Sequence, residues 1–371
     1  MDKHLHIISF DVPWPADYGG VIDVFYKVKA LHAIGVKVHL HCFTYGRSSQ
    51  DEIKTICEKV YYYPRNMNRS LLIHPLPFIV VSRQHDALLR HLKQDEHPIL
   101  FEGLHSCYYL DHPDLKERDK FVRTHNVEHD YYHALADGES GYLKRLYLNR
   151  EARKLRGFER QLALAKGLFA ISPMDQEHFK QINDEVTWLP PFHANETLAE
   201  PREKESFALY HGNLSVSENE KAAKFLMDEV FKGLDKKLII FGNGASRKLR
   251  KKASLMTNVE LMEGDGTLLM DLVQKAQVNI LPTFQATGMK LKLLFSLFNG
   301  GHVLVNPPMV DKTGLESCCE IVEDGPQMQA ALERLWRKTF SEQDRMKRKD
   351  ILEQNFSNTE NAHKLSRTIF G

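Results

Sequence analysis

The chain of 371 residues has only five cysteines, Cys42, Cys57, Cys107, Cys318 and Cys319, and they form neither a CxxC pair nor a Cys/His zinc spacing. An odd, scattered set of thiols argues against a disulfide framework and against thiolate metal binding, so the cysteines are expected to be reduced and chemically idle. No apolar run approaches the ~18 residues of a membrane span, and no basic, apolar leader precedes the first strand-like stretch, so a cytoplasmic location is expected. Charge of one sign is also lacking. Fifty Lys and Arg against 49 Asp and Glu leave a formal net charge of +1, which gives no bulk attraction to nucleic acid, and none is expected as a partner. No repeat or low-complexity tract is present, which excludes solenoids and long disordered tails. A G-x-G-x-x-G fingerprint is absent too, which argues against a dinucleotide dehydrogenase.

Hydrophobic residues make up 42% and charged residues 27% of the chain, the balance of a soluble globular protein long enough for two domains. His4 to Phe10 alternates as a strand, Val21, Phe25, Val28 and Leu31 recur at helical spacing, and Gly35 precedes a second strand at Val36 to Phe43. Apolar runs at Ile99 to Phe101, Phe121 to Val122 and Gly167 to Ile171 continue this rhythm of a parallel sheet wrapped by helices. After a polar stretch the rhythm restarts at Phe207, Lys237, Val259, Val278 and His302. The expected fold class is therefore α/β: two Rossmann-like, doubly wound parallel-sheet domains. The first is expected over 1–190, completed by a C-terminal helix at 352–371. A linker over 191–204 leads to the second domain over 205–351.

Open parallel sheets bind ligands beyond the carboxyl ends of their strands, so the motifs that follow strands carry the chemistry. Asp17-Tyr18-Gly19-Gly20 opens the first helix, where glycines let backbone N–H groups approach a phosphate or a sugar hydroxyl. Arg123-Thr124-His125-Asn126-Val127-Glu128-His129 ends another strand and offers His125 and Glu128 to a sugar hydroxyl. Glu102 and His105 follow a third strand. In the second half, Thr287-Gly288-Met289-Lys290-Leu291-Lys292 opens a helix with Thr287 as its expected N-cap. Two cations in a first turn oppose the helix dipole, and a bound diphosphate supplies the reason for them. The basic stretch from Leu143 to Lys166 reads first as a solvated helix face and second as a peripheral contact with anionic lipid.

Taken in order, Asp17 to Gly20, Arg123 to Glu128, Tyr210-His211-Gly212-Asn213, Phe241 to Gly244 and Gly288 to Lys292 resemble the retaining GT-B glycosyltransferases of family 4, the glycosyl transferases group 1. The resemblance covers nearly the whole chain. It implies a GT-B fold whose two domains face across a cleft, and a metal-independent hexosyltransferase with retention of configuration. A nucleotide-sugar, UDP- or GDP-linked, would be the co-substrate, no cofactor would be needed, and a glycan or lipid-linked glycan would be the acceptor in cell-surface glycan assembly. The resemblance places His125 and Glu128 at the reacting sugar. Gly19, Gly20, Asn213, Thr287, Gly288, Met289, Lys290 and Lys292 fall on the donor, and Asp17, Glu102 and His105 on the acceptor side. Thr287 and Phe295 stand where the family carries its Glu-x7-Glu carboxylates. Two alternatives stand beside this reading: a catalytically impaired binding or partner protein, prompted by Phe295, and a sugar-nucleotide epimerase of the same fold, which would also use histidines and carboxylates.

Overall fold

The computed structural model describes residues 2–200, 202–285 and 289–371. They form two compact units, Met1–Ala194 with Asn355–Gly371, and Asn195–Gln354.

The first unit is built on a seven-stranded sheet of order β3-β2-β1-β4-β5-β6-β7. Its strands are β1 (His4–Ser9), β2 (Lys37–Thr44), β3 (Lys59–Pro64), β4 (Ile99–Glu102), β5 (Lys120–Thr124), β6 (Gly167–Ala170) and β7 (Val186–Trp188), and every pairing is parallel. Two-residue periodicity sorts β1 and β2 into unlike faces. Leu5, Ile7, Val38, Leu40 and Cys42 pack with Val21, Val24, Val28 and Leu31 of helix Gly19–Ala33, and with Leu365 and Ile369 of helix Asn358–Phe370. The opposite face carries histidine, because His6 pairs in register with His39 and Ile8 with His41. Buried imidazoles need partners. His6 Nδ1 meets His41 Nε2 at 2.8 Å, His41 Nδ1 meets the Tyr63 hydroxyl at 2.8 Å, and that hydroxyl meets His91 Nδ1 at 2.7 Å. Burial drops the pKa of His6 to about 4 and that of His41 well below its ordinary value, so the row is neutral.

The second unit carries a six-stranded sheet of order β10-β9-β8-β11-β12-β13, again parallel throughout. Its strands are β8 (Glu205–His211), β9 (Lys237–Phe241), β10 (Val259–Met262), β11 (Ala276–Leu281), β12 (His302–Val305) and β13 (Glu320–Ile321). Phe207, Leu209, Ile239, Phe241, Leu272 and Val273 form one of its buried clusters.

Three strands go beyond the sequence reading: β3, β7 and β13, which lie at the outer edges of the two sheets. β7 and β13 have three and two residues, and β3 is a tyrosine run ending in proline, so none presents a long aliphatic stretch. The C-terminal helix expected over 352–371 is in fact two helices, Glu342–Phe356 and Asn358–Phe370. Ser357 separates them, its hydroxyl accepting from Glu360 N at 3.3 Å as an N-cap. Among the described residues, no helix is long and apolar enough to cross a membrane.

In each sheet the strand order reverses once, between β1 and β4 and between β8 and β11. At such a switch point the two chain crossovers leave in opposite directions, and an open crevice is left beyond the strand ends.

Candidate functional site

The switch point of the first unit collects a buried charge network. Asp23 and Lys27 come from helix Gly19–Ala33, Glu102 ends β4, Arg123 lies in β5, and His125 follows it. Lys27 Nζ donates to Asp23 Oδ2 at 2.9 Å and to both Glu102 oxygens at 2.7 and 2.8 Å. Arg123 grips Asp23 with Nε and Nη2, each at 3.1 Å, and the Phe192 N–H donates to Asp23 Oδ1 at 2.8 Å. His125 Nε2 meets Glu102 Oε2 at 3.0 Å. Burial pushes Asp23 up, yet Arg123 and Lys27 overcome it and hold the carboxyl below its ordinary range. Burial likewise pushes Glu102 up, and Lys27 together with the hydrogen bond from His125 holds its carboxyl below its ordinary range. Two carboxylates thus balance two cations, and His125, 9% exposed, is the member at the rim. Lys27 bridges Asp23 and Glu102, and Arg123 pairs with Asp23, so cations of the chain itself already balance these carboxylates.

Beside His125 stand His105 and Glu128. Glu128 opens helix Glu128–Asp137 but is only 2% exposed. Burial raises its pKa to about 8, so its carboxyl is protonated at neutral pH. His105 is held well below its ordinary value by burial and by Arg83, and is a neutral imidazole. His105 Nδ1 and Glu128 Oε1 are 3.8 Å apart, and among the described residues neither has a hydrogen-bond partner. A neutral donor and acceptor left open side by side match a ligand hydroxyl, which can give one hydrogen bond and take another.

Glycines shape this rim. Gly103 has φ +68°, and a Cβ there would lie 2.9 Å from His105 Nδ1 and 3.4 Å from His125 Cδ2. A Cβ on Gly20 would meet the Phe10 ring at 2.6 Å, and that ring packs edge-on against His125 and tilted against His105. Gly20 therefore acts through Phe10, while Gly19 faces open space. Asp17 is ion-paired with Arg47 on the loop before the helix and stands apart from the buried network.

In the second unit the switch point gathers Tyr210 from β8, Glu218 and Asn219 from helix Ser217–Phe225, Thr283 after β11, and Lys290 and Lys292. Helix Leu291–Asn299 starts later than expected: its N-cap is Lys290 rather than Thr287, so only Lys292 lies in its first turn, which holds no acidic residue. Thr287 and Gly288 lie outside the described residues. Lys292 Nζ donates to Asn219 Oδ1 at 3.0 Å and to the Tyr210 hydroxyl at 3.4 Å, and sits 4.9 Å from the centre of the Tyr210 ring. Burial lowers its pKa to about 8 against the opposing pull of Glu218, and burial lowers Lys290 as well. Two desolvated ammonium groups at a helix N-terminus form a strong field for an anion. Met289 precedes them, half-buried. Asn213 accepts from Ser215 N at 3.0 Å, and Asn219 Nδ2 donates to Asn213 O at 2.9 Å, which ties the loop after β8 to the residue that holds Lys292. Gly242 has a firm steric reason, since a Cβ there would lie 1.9 Å from Gly212 O. Phe295 packs at 72° against His211, with ring centres 5.9 Å apart, so an aromatic contact stands where the resemblance leads to a carboxylate.

No family model matches the chain. A protein of Klebsiella pneumoniae described as an uncharacterized 44.6 kDa protein in the cps region is 26% identical over 319 residues, 79% of this chain and 80% of the relative. Among solved structures, a variant of S. aureus TarM in complex with fondaparinux, alpha-GlcNAc-glycerol and UDP superposes with a TM-score of 0.67 at 9% identity, covering all of both chains. WaaG, a glycosyltransferase involved in lipopolysaccharide biosynthesis, superposes with a TM-score of 0.62 at 14% identity, covering 99% of this chain and 100% of its own. The fold is GT-B.

Within this GT-B chain the sequence-selected residues fall into two groups. His125, Glu102, His105 and Glu128 gather at the switch point of the first unit, and Lys290, Lys292 and Asn213 at that of the second. Sequence reasoning missed Asp23, Lys27 and Arg83 in the first unit and Glu218 in the second, and it placed Tyr210 in a motif without giving its side chain a role. A signal existed for Asp23 and Lys27, an acid and a base four residues apart on an otherwise apolar helix face. Arg83 lacked any such signal. It is 5% exposed, and its Nε donates to Phe10 O at 2.9 Å.

Proposed function

We propose that the protein is a glycosyltransferase that moves a sugar from a nucleoside diphosphate donor to a hydroxyl acceptor in cell-surface glycan assembly. The observation that carries the reading is the pairing of chemistries at the two switch points of a GT-B chain. One has desolvated lysines at a helix N-terminus, and the other has a neutral carboxyl and imidazole open toward a hydroxyl. The neighbours with WaaG's role and with TarM's UDP and alpha-GlcNAc-glycerol, and the relative from a cps region, support the same direction.

In this reading Lys290, Lys292 and the free N–H groups of helix Leu291–Asn299 take the diphosphate and stabilise the charge that grows on it as the sugar–phosphate bond breaks, without a metal ion. Met289, Asn213, Thr287, Gly288, Gly19 and Gly20 are assigned to donor contacts as well. Glu128 and His105 hold a sugar hydroxyl, and His125, fixed by Glu102, lies beside the transferred sugar. Following the family resemblance, the transfer retains configuration, with the departing phosphate accepting the acceptor's proton. Glu218, next to the lysines, offers a carboxylate that Thr287 and Phe295 do not. A panel of UDP- and GDP-sugars tests the proposal: hydrolysis or transfer with at least one donor is the expected result. Nucleotide binding without turnover would instead favour the binding-protein reading that Phe295 prompts, and turnover without an acceptor the epimerase.

A lipid-linked acceptor calls for contact with a membrane surface. Helix Tyr142–Phe158 leaves Tyr142, Leu143 and Leu146 at 64%, 80% and 49% exposure beside Lys144 and Arg145. Exposed leucines among cations suit an anionic bilayer. Sedimentation with anionic vesicles should carry the protein down, Leu143→Ser with Leu146→Ser should weaken it several-fold, and equal sedimentation of both forms would count against the contact.

A further inference from the structure

Among the described residues, three groups of histidines and carboxylates, all in the first unit, bring their ligand atoms within 4.8 Å of one another. Two of them are poor metal sites. In one, the Asp23 and Glu102 carboxylates are already paired with Lys27 and Arg123. His4 and His97 stack 12° from parallel, with ring centres 4.5 Å apart, so their in-plane lone pairs do not converge on one point with His39. The third group is built differently.

His129 lies in the first turn of helix Glu128–Asp137, Glu159 follows helix Tyr142–Phe158, and His178 lies in the last turn of helix Pro173–Phe179. The Glu159 carboxylate stands between the two imidazoles, with Oε2 3.2 Å from His129 Nδ1 and Oε1 2.8 Å from His178 Nε2. Ligands on a tetrahedral zinc lie at ~2.0–2.1 Å from the ion and hence about 3.3 Å from each other. The 3.2 Å spacing is close to that, the 2.8 Å one is a hydrogen bond that an ion would have to open, and the rings are inclined at 46° rather than stacked. Glu159 is 5% exposed while His178 is 29% exposed, so a firm ligand faces one with room to turn. The second ring nitrogen of His129, Nε2, faces Asp130 Oδ1 at 3.4 Å, the outer carboxylate that commonly orients a metal-bound imidazole. The group opens onto a cavity of about 490 Å³, also lined by Arg156, Arg160 and Gln181, so further coordination positions face solvent.

The geometry points to a divalent transition-metal site of the zinc class formed by His129, Glu159 and His178. A mixed imidazole and carboxylate set with an open side suits zinc and its neighbours rather than calcium or magnesium, which take oxygen ligands. The ion would tie three helices together beside Glu128. It is separate from the lysines assigned to the donor, so the inference stands or falls independently of the glycosyl-transfer reading.

The test is zinc chloride titrated calorimetrically into the full, untagged chain after treatment with a chelator, alongside thermal melts. One ion per chain, a zinc-dependent rise in Tm, and an affinity reduced about tenfold or more in His178→Ala are expected. His97→Ala, in the stacked group, should bind as the unchanged protein does. Cobalt gives a readout that needs no variant: the visible bands of a four-coordinate ion are expected. The inference is overturned if the natively folded chain shows no zinc-dependent heat or Tm shift, if His178→Ala binds as tightly as the unchanged protein, or if cobalt keeps the weak spectrum of the hydrated ion.

Discussion

Glu128 shows what the proposed site costs the fold. Its pKa of about 8 means that the folded chain keeps a proton that the unfolded chain releases near 4.5. Between those values the unfolded state binds fewer protons, so this contribution to stability is whole below about pH 4.5 and declines as pH rises toward 8. Glutamine cannot ionise. Glu128→Gln should therefore be more stable than the unchanged protein by about 3 kcal/mol at pH 7, with the difference vanishing near pH 4.5 in paired melts, while transfer activity falls. Equal melting of the two proteins at both pH values would show that the buried carboxyl carries no such strain. Lys292 titrates in the opposite sense. With a pKa of about 8 in the free protein, it must hold its proton to bind a diphosphate, so donor affinity should decline as pH rises through 8. A flat affinity from pH 7 to 9 would remove Lys292 from the phosphate.

Strands and helices explain which of these residues could be read in advance. His125, Glu102 and His105 were legible because each follows an aliphatic run that could only be a buried strand, and parallel sheets present ligands at those ends. Lys290 and Lys292 were legible as cations at the start of an apolar helix. Asp23 and Lys27 were hidden inside a helix whose other residues read as core, and the edge strands β3, β7 and β13 were too short or too aromatic to count. The break at Ser357 had a signal, Ser357-Asn358-Thr359-Glu360, a capping box within a stretch read as one helix. Two element-level outcomes follow. Asp23→Ala leaves Arg123 buried without its carboxylate and should cost about 3–5 kcal/mol, seen as a lowered Tm. Removing residues 358–371 strips Leu365 and Ile369 from the core of the first unit, a loss of about 1.5–3 kcal/mol for each side chain. A truncated chain that melts like the full one would contradict that packing.

For the whole molecule, the doubly wound α/β fold class was legible because periodicity and strand length recur through both halves. The proposed donor site was legible only in part, since Phe295 packs against His211 where the resemblance led to a carboxylate, and Glu218 enters from another helix. The central claim is that the second unit binds a nucleoside diphosphate through Lys292. It is tested most directly by calorimetric titration of UDP and GDP into the full chain and into Lys292→Ala, with the Tm of both proteins recorded. Saturable binding of one nucleotide to the unchanged protein, weakened about tenfold or more by the substitution at an unchanged Tm, is the predicted result. Absence of binding by both nucleotides, or equal affinity in the two proteins, would contradict it.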